Sequence, residues 1–362
     1  MADARNRTAM KTTTPALASE DDFLALIAAS FPAGHPSLIL GRGDDCAEIA
    51  CPAQMAVSTD LFVEDTHFRL RYFTPEEIGH KAIAVNLSDM AAAGARPLGL
   101  SVGLTTPVPF LRETATGLVK GMASIAEKYN VALTGGDLSQ GPNLALCVTV
   151  WGAPGGTAPD STQANEKTQA ASFLRRGPVR AGDALFVCGR LGLARAGLLM
   201  LEETGRAAVK TNPAACAAHL APTPLVDAGL ALARLLPGTI CRLMDVSDGL
   251  ARDLPRMLCA YGQKAGAEII LDENDVEFLH PEVTAYARSR GISPAAFAFR
   301  GGEDYALLGS CAADAFPLVR EALEGCEYPL RRIGTVTGKP GITLNSAPVK
   351  DAGFDHFCGH TP

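Results

Sequence analysis

From about Glu20 onward the apolar residues fall into two patterns, short runs that read as strands and longer three-to-four-spaced stripes that read as helices. Phe23, Leu24, Leu26 and Ile27 suggest a short amphipathic helix near Glu20, followed by a loop over 40–46 and a β-like run over 55–59. Thr74-Pro75-Glu76-Glu77 places a cap, a proline and acidic residues where a helix begins, and predicts a long helix over 75–93. Strands are predicted over 98–106, 131–134 and 144–151, with a helix over 111–128. Over 152–172 the composition changes to Gly, Pro, Thr, Ser, Gln and Asn, which marks a surface loop at a domain boundary. Beyond it the pattern predicts a strand over 184–188, helices over 192–203 and 224–236, and a strand over 240–244. A helix after Ser247 and strands at Ile269-Ile270, 305–310 and 332–336 complete the pattern. Both halves therefore read as mixed α/β. The expected division is a disordered tail over 1–19, an N-terminal domain over 20–152, a linker over 153–176, a C-terminal domain over 177–349 and a tail over 350–362.

A length of 362 residues agrees with about two domains. With 47% hydrophobic residues the chain can bury a sizeable core without disulfides or a structural metal. The net charge of −7 argues against a nucleic-acid partner. No apolar run approaches the ~20 residues of a membrane span, and residues 1–19 lack the apolar segment of a secretory signal. The ten cysteines are scattered without a Cys-x-x-Cys pair and read as buried free thiols of a reducing, cytoplasmic compartment.

Candidate chemistry lies in carboxylates at strand edges and beside glycines. Asp44 and Asp45 stand in Gly-Arg-Gly-Asp-Asp, Asp60 ends Val-Ser-Thr-Asp, and Asp137 ends Thr-Gly-Gly-Asp. Asp245 and Asp248 lie in Met-Asp-Val-Ser-Asp-Gly, and Glu303 and Asp304 in Gly-Gly-Glu-Asp-Tyr. Each alone also reads as a turn residue or helix cap. Asp89 differs, because it interrupts an apolar helix and is costly to bury unless paired or bound to a cation. The chain has no phosphate loop of the Gly-x-x-x-x-Gly-Lys-Ser/Thr kind, no protein-kinase His-Arg-Asp set and no Gly-x-Ser-x-Gly elbow.

Taken in order, these segments resemble the thiamine-monophosphate kinases, within the ATP-binding superfamily of aminoimidazole ribonucleotide synthetase and selenophosphate synthetase. The resemblance rests on Gly43-Asp44-Asp45-Cys46-Ala47, Ser58-Thr59-Asp60, His67-Phe68 and Gly79-His80-Lys81-Ala82. It continues through Val85-Asn86-Leu87-Ser88-Asp89, Gly94-Ala95-Arg96-Pro97, Gly135-Gly136-Asp137 and Asp245-Val246-Ser247-Asp248-Gly249-Leu250. Gly302-Glu303-Asp304-Tyr305 and Gly353-Phe354-Asp355-His356-Phe357 close the set.

The resemblance implies an N-terminal α/β domain whose sheet pairs across a homodimer, a C-terminal α/β domain, and direct transfer of the γ-phosphoryl of ATP to thiamine monophosphate. It makes Asp45, Ser58, Thr59, Asp60, Asp89, Asp137, Asp245 and Asp248 the Mg²⁺-site residues. Gly136, Asp137, Arg176 and Ser247 fall where the family contacts ATP, and His67, Glu303 and Phe354 where it contacts substrate. No side chain is needed as a general base. ATP brings about four negative charges, so a cleft lined with carboxylates needs several Mg²⁺ ions to admit it. Departures from the family pattern are Ala306 in place of Glu, Arg42 in place of an apolar residue, Ala93 in place of Met, and a longer 152–172 loop. A sister enzyme of the superfamily and a non-catalytic nucleotide-binding protein are the alternatives. Against selenophosphate synthetase, no cysteine precedes Cys46.

Overall fold

The computed structural model describes residues 15–155, 173–235 and 242–349. Residues 1–14, most of the expected linker, and the C-terminal tail with Phe354 lie outside the described residues.

The first half runs α1 (Glu20–Ser30), β1 (Leu38–Leu40), β2 (Glu48–Ile49), β3 (Ala56–Val63), α2 (Pro75–Ala92), β4 (Ala95–Thr106), α3 (Arg112–Lys128), β5 (Ala132–Gln140) and β6 (Ala145–Pro154). Residues 15–19, expected in the tail, are placed against the start of α3 through Leu17 N donating to Phe110 O and Arg112 N to Pro15 O. β3, β6, β4 and β5 form a four-stranded sheet in that order, antiparallel except for the β4–β5 pair. Alternation gives it two unlike faces. Leu146, Val148 and Val150 are buried under the helices, whereas Val57, Thr59 and Leu61 of β3 are exposed on the other side.

Helix α2 begins with a capping box, Glu77 N donating to Thr74 Oγ1 (3.2 Å) and Thr74 N to Glu77 Oε2 (2.8 Å). It crosses α3 closely enough that a Cβ on Gly79 would lie 2.1 Å from Leu118 O, and one on Gly121 2.0 Å from Glu76 O. Only glycine permits that approach.

The second half contains β7 (Ala184–Cys188), α4 (Leu193–Thr204), α5 (Ala208–Thr211), α6 (Pro213–Leu220), α7 (Val226–Ala233), β8 (Arg242–Val246), α8 (Leu250–Leu258) and β9 (Gly266–Ile269). α9 (Pro281–Ser289), α10 (Pro294–Phe299), β10 (Ala306–Cys311), α11 (Phe316–Ala322), β11 (Leu330–Thr337), β12 (Gly341–Leu344) and β13 (Ala347–Pro348) follow. Its seven strands are ordered β13-β12-β9-β11-β7-β10-β8. Alternation in β7 sends Phe186 and Cys188 to one core and Leu185 and Val187 to another. The first core is shared with Leu87 and Met90 of α2 and Leu232 of α7, so apolar packing is continuous between the halves. The eight described cysteines are free; Cys188, Cys216 and Cys311 are buried, but Cys46, Cys51 and Cys259 are exposed, contrary to the expectation of uniformly buried thiols. Among the described residues no helix is long and apolar enough to cross a membrane.

Candidate active site

The C-terminal end of α2 lies between the two sheets and presents consecutive polar residues to both. Ser88 Oγ, fully buried, donates to Asp245 Oδ2 of β8 (2.9 Å). Asp89 Oδ2 accepts a hydrogen bond from Ser58 Oγ of β3. Asp60 lies on the same face of β3 as Ser58. Burial and the neighbouring Asp89 charge push its carboxyl up to about 6. Burial also raises Asp89, against the Ser58 hydroxyl and the Arg176 guanidinium, which pull the other way. Asp245 is raised by burial and then by Asp89, with Asp253 and Asp60 adding to the effect and the Ser88 hydroxyl opposing it. Three carboxylates thus share one pocket with insufficient positive charge.

Other proposed residues stand differently. Asp248 is already paired, with Arg256 Nη2 at 2.8 Å and Arg252 Nε at 3.7 Å. The fully buried Asp253 braces it by accepting from Asp248 N (2.9 Å) and Arg256 Nη1 (2.6 Å). Thr59 points to the opposite face of β3 and bonds Thr149 Oγ1 at 2.9 Å. Asp137 is exposed, and the register Leu61–Cys147–Gly103–Asp137 puts it on that same open face. It stands three strands from β3, about 14 Å at ordinary strand spacing. Gly136 runs so close to β4 that a Cβ would lie 1.8 Å from Val102 O. Asp45 is exposed in the loop between β1 and β2. Arg42 fastens that loop, donating to Leu133 O (2.7 Å), Phe31 O (3.0 Å) and Pro32 O (3.1 Å), which accounts for a cation at a position usually apolar. Of the two adjacent arginines that end the linker, Arg175 bridges Arg242 through its backbone while the charge of Arg176 acts on Asp89. His67 accepts from Val63 N at Nδ1 (3.1 Å) and lies 5.9 Å from the Phe62 ring.

The Gly-Gly-Glu-Asp-Tyr loop, at the start of β10, meets the Ser247 loop at the end of β8. Glu303 N donates to Ser247 O (2.7 Å) and Tyr305 N to Val246 O (2.9 Å). Glu303 has φ 63° and Tyr305 φ 49°, the left-handed region that side chains seldom occupy. Asp304 turns away to cap α4, accepting from Gly192 N (2.6 Å) and Ala194 N (3.0 Å); burial pushes its carboxyl up to about 7 against those donors. Ala306 is buried beside Val246, and its Cβ stands where a Cβ on Gly189 would approach to 2.8 Å, so Gly189 keeps the neighbouring strand end free of a side chain. The Tyr305 hydroxyl is raised well above its ordinary value by burial and by the charges of Glu303, Asp245, Asp60 and Asp248.

Two residues without an assigned role in the sequence join Glu303: Lys81 of α2 and His219 of α6. Lys81 Nζ lies 3.3 Å from Glu303 Oε1, and His219 Nδ1 2.8 Å from Glu303 Oε2. Burial pushes Glu303 up, but Lys81 and His219 outweigh it and hold the carboxyl well below the usual glutamate range. Lys81 carried a readable signal, a charge within the same apolar helix that singled out Asp89. His219, 138 residues from Lys81, carried none.

Among the described residues no three or more His, Cys, Asp or Glu side chains are arranged to hold a metal ion by themselves. The donors at the pocket, Ser58, Asp60, Asp89 and Asp245, are all oxygens. They suit Mg²⁺, which takes one or two carboxylates and completes its shell with water and phosphate oxygens.

The chain matches the N-terminal domain of AIR synthase related protein over residues 43–153 and its C-terminal domain over residues 180–346. Fold and site thus define an AIR synthase related protein of two family domains. It is 34% identical over 352 residues to the thiamine-monophosphate kinase of Synechococcus elongatus, covering 94% of this chain and 97% of that one. The crystal structure of thiamine-monophosphate kinase from Stenotrophomonas maltophilia K279a superposes with a TM-score of 0.73 at 28% identity, covering 91% of this chain and 98% of that chain. The structure of AaThiL complexed with AMPPCP and TMP superposes with a TM-score of 0.69 at 27% identity, covering 84% and 87% respectively. The chain belongs to the thiamine-monophosphate kinase family.

Proposed function

We propose that the chain phosphorylates thiamine monophosphate to thiamine diphosphate with ATP and Mg²⁺, within thiamine diphosphate biosynthesis, as a cytoplasmic homodimer. The observation that carries this reading is the group of Asp60, Asp89 and Asp245, gathered between the two sheets by the Ser58–Asp89 and Ser88–Asp245 hydrogen bonds, where Asp89 raises the proton affinity of Asp60 and both raise that of Asp245. Such a group is poised to receive cationic charge. Ser58, Asp60, Asp89 and Asp245 would hold Mg²⁺, which when bound neutralises the phosphates of both substrates. Asp45, Thr59, Asp137 and Asp248 are the remaining members of the proposed metal set; the Thr59 hydroxyl, turned to the open face, contributes least of them, and Asp248 first has to share its Arg256 partner.

The attacking atom is an oxygen of the substrate phosphate. It bonds to the γ-phosphorus of ATP while the bond from that phosphorus to the β–γ bridging oxygen breaks and ADP leaves. Because that oxygen is already ionised near neutral pH, no side chain has to remove a proton, and positioning with charge neutralisation suffices. Gly136, Arg176 and Ser247 are assigned to ATP, and His67, Glu303 and Phe354 to the organic substrate. The division into domains 20–152 and 177–349, with 153–176 as linker and 350–362 folding back over the cleft, belongs to the same reading.

The open face of the first sheet supports the homodimer. Val57 and Leu61 are 57% and 61% exposed, and a second copy packed there would cover them and bring Thr59 and Asp137 to the interface. Incubation of the purified protein with MgATP and thiamine monophosphate tests the activity: thiamine diphosphate and ADP should appear in equal amounts. Absence of thiamine diphosphate, or turnover only with free thiamine or formylglycinamidine ribonucleotide, overturns it.

A further inference from the structure

Lys81 is 0% exposed and His219 1% exposed, yet both direct polar atoms at one carboxylate that keeps 26% of its side chain open. The three residues come from α2, α6 and the loop before β10, so the cluster is assembled by the fold rather than by local sequence. A buried ammonium is costly and requires a partner. Glu303 is that partner, and Phe73 adds a ring face 5.5 Å from Nζ. Burial and the Lys81 charge lower the proton affinity of His219, so its ring is neutral. Neutral imidazole carries one proton; Nδ1 lies 3.3 Å from Lys81 Nζ but only 2.8 Å from the anionic Glu303 Oε2, and the nearer carboxylate draws the proton to Nδ1, which donates to Glu303. The other ring nitrogen, Nε2, is then a bare acceptor, in keeping with its having no hydrogen-bond partner in its buried position.

Each Glu303 oxygen is held from inside by one donor and keeps further acceptor capacity for the cleft. The backbone is pinned as well, with φ 63° and the bond to Ser247 O. The carboxylate therefore cannot rotate freely. We infer that Lys81 and His219 are positioning residues that aim the Glu303 carboxylate at the amino and cationic ring groups of the organic substrate. This rests on the proposed kinase activity and deepens it. Substrate recognition, rather than phosphoryl transfer or ATP binding, is what the clamp serves.

The test compares His219→Asn with His219→Gln in the full-length protein, because an Asn amide nitrogen falls near the Nδ1 position and a Gln amide nitrogen near Nε2. KM for thiamine monophosphate, KM for ATP, kcat and Tm are measured for each. His219→Gln should raise the thiamine monophosphate KM about 10-fold or more, the factor of a lost hydrogen bond to a charged group. His219→Asn should stay within about 3-fold of the parent, with a fall in Tm similar to that of His219→Gln, and neither variant should move the ATP KM. Equal KM values for the two variants, or a parallel rise in the ATP KM, would overturn the inference while leaving the kinase reading intact. A parent protein that does not convert thiamine monophosphate overturns both.

Discussion

Asp60, Asp89 and Asp245 gather three carboxylates beside two serine hydroxyls and a nearby guanidinium, whereas Lys81, His219 and Glu303 gather one cation, one neutral donor and one anion. The first group raises the proton affinity of its members; the second holds its carboxylate ionised. Both lie against α2, and Tyr305 feels charges from both. The difference separates a site that needs something from outside from one completed by the protein itself. Removing a charge from the first should therefore relieve the fold and harm the reaction. Removing one from the second should harm the fold.

The largest effect belongs to Asp89→Asn. At saturating Mg²⁺ kcat should fall about 1000-fold, the scale of losing a principal electrostatic contributor, while Tm stays level or rises. Near-normal turnover would break the contrast at its first member. Glu303→Gln should instead lower stability by about 3 kcal/mol, because Lys81 is left buried without a counter-ion. Glu303 titrates below its ordinary 4.5 in the folded state, so its contribution is present above that pH and is lost as pH falls further toward the folded-state value. The Tm difference between parent and variant should hold from pH 7 to about 4.5 and shrink below it, as thermal melts across that range would show.

Neighbouring residues sharpen the comparison on a smaller scale. Ser58→Ala should cost about 10-fold in kcat by freeing Asp89, whereas Thr59→Val, on the open face, should change kcat less than about 2-fold. Equal losses would mean that the faces of β3 do not divide the roles. The smallest effect is that of Asp304→Ala, which removes the α4 cap. It should cost about 1 kcal/mol in denaturant melts and leave both KM values in place.

Much of this architecture is legible where one local signal dominates. The Thr74-Pro75-Glu76-Glu77 cap predicts the start of α2, and the run 184–188 coincides with β7. Asp89 stands out because a charge in an apolar helix needs a reason. Other features are set by distant contacts. The glycines at 135 and 136 suggest an end to β5 near Thr134, yet the strand continues to Gln140 in register with β4, whose close pass leaves no room for a side chain at 136. Helices α6, α9, α10 and α11 are only six to nine residues long and gain their order from packing rather than periodicity. The opposite orientations of Ser58 and Thr59 follow from alternation once β3 is known to lie beneath α2. The sequence alone does not say which face the helix covers.

Ser88 and Asp89 also bear on how the molecule holds together. Consecutive helical residues point about 100° apart, and here one grips β8 while the next grips β3. Prying the two sheets apart would have to break at least one of these bonds and open the apolar core that runs from Leu87 to Phe186 and Leu232. Two family domains match the chain, but α2 rivets their sheets into a single cooperative unit. Heat or denaturant should find no weak seam at which one half melts while the other survives.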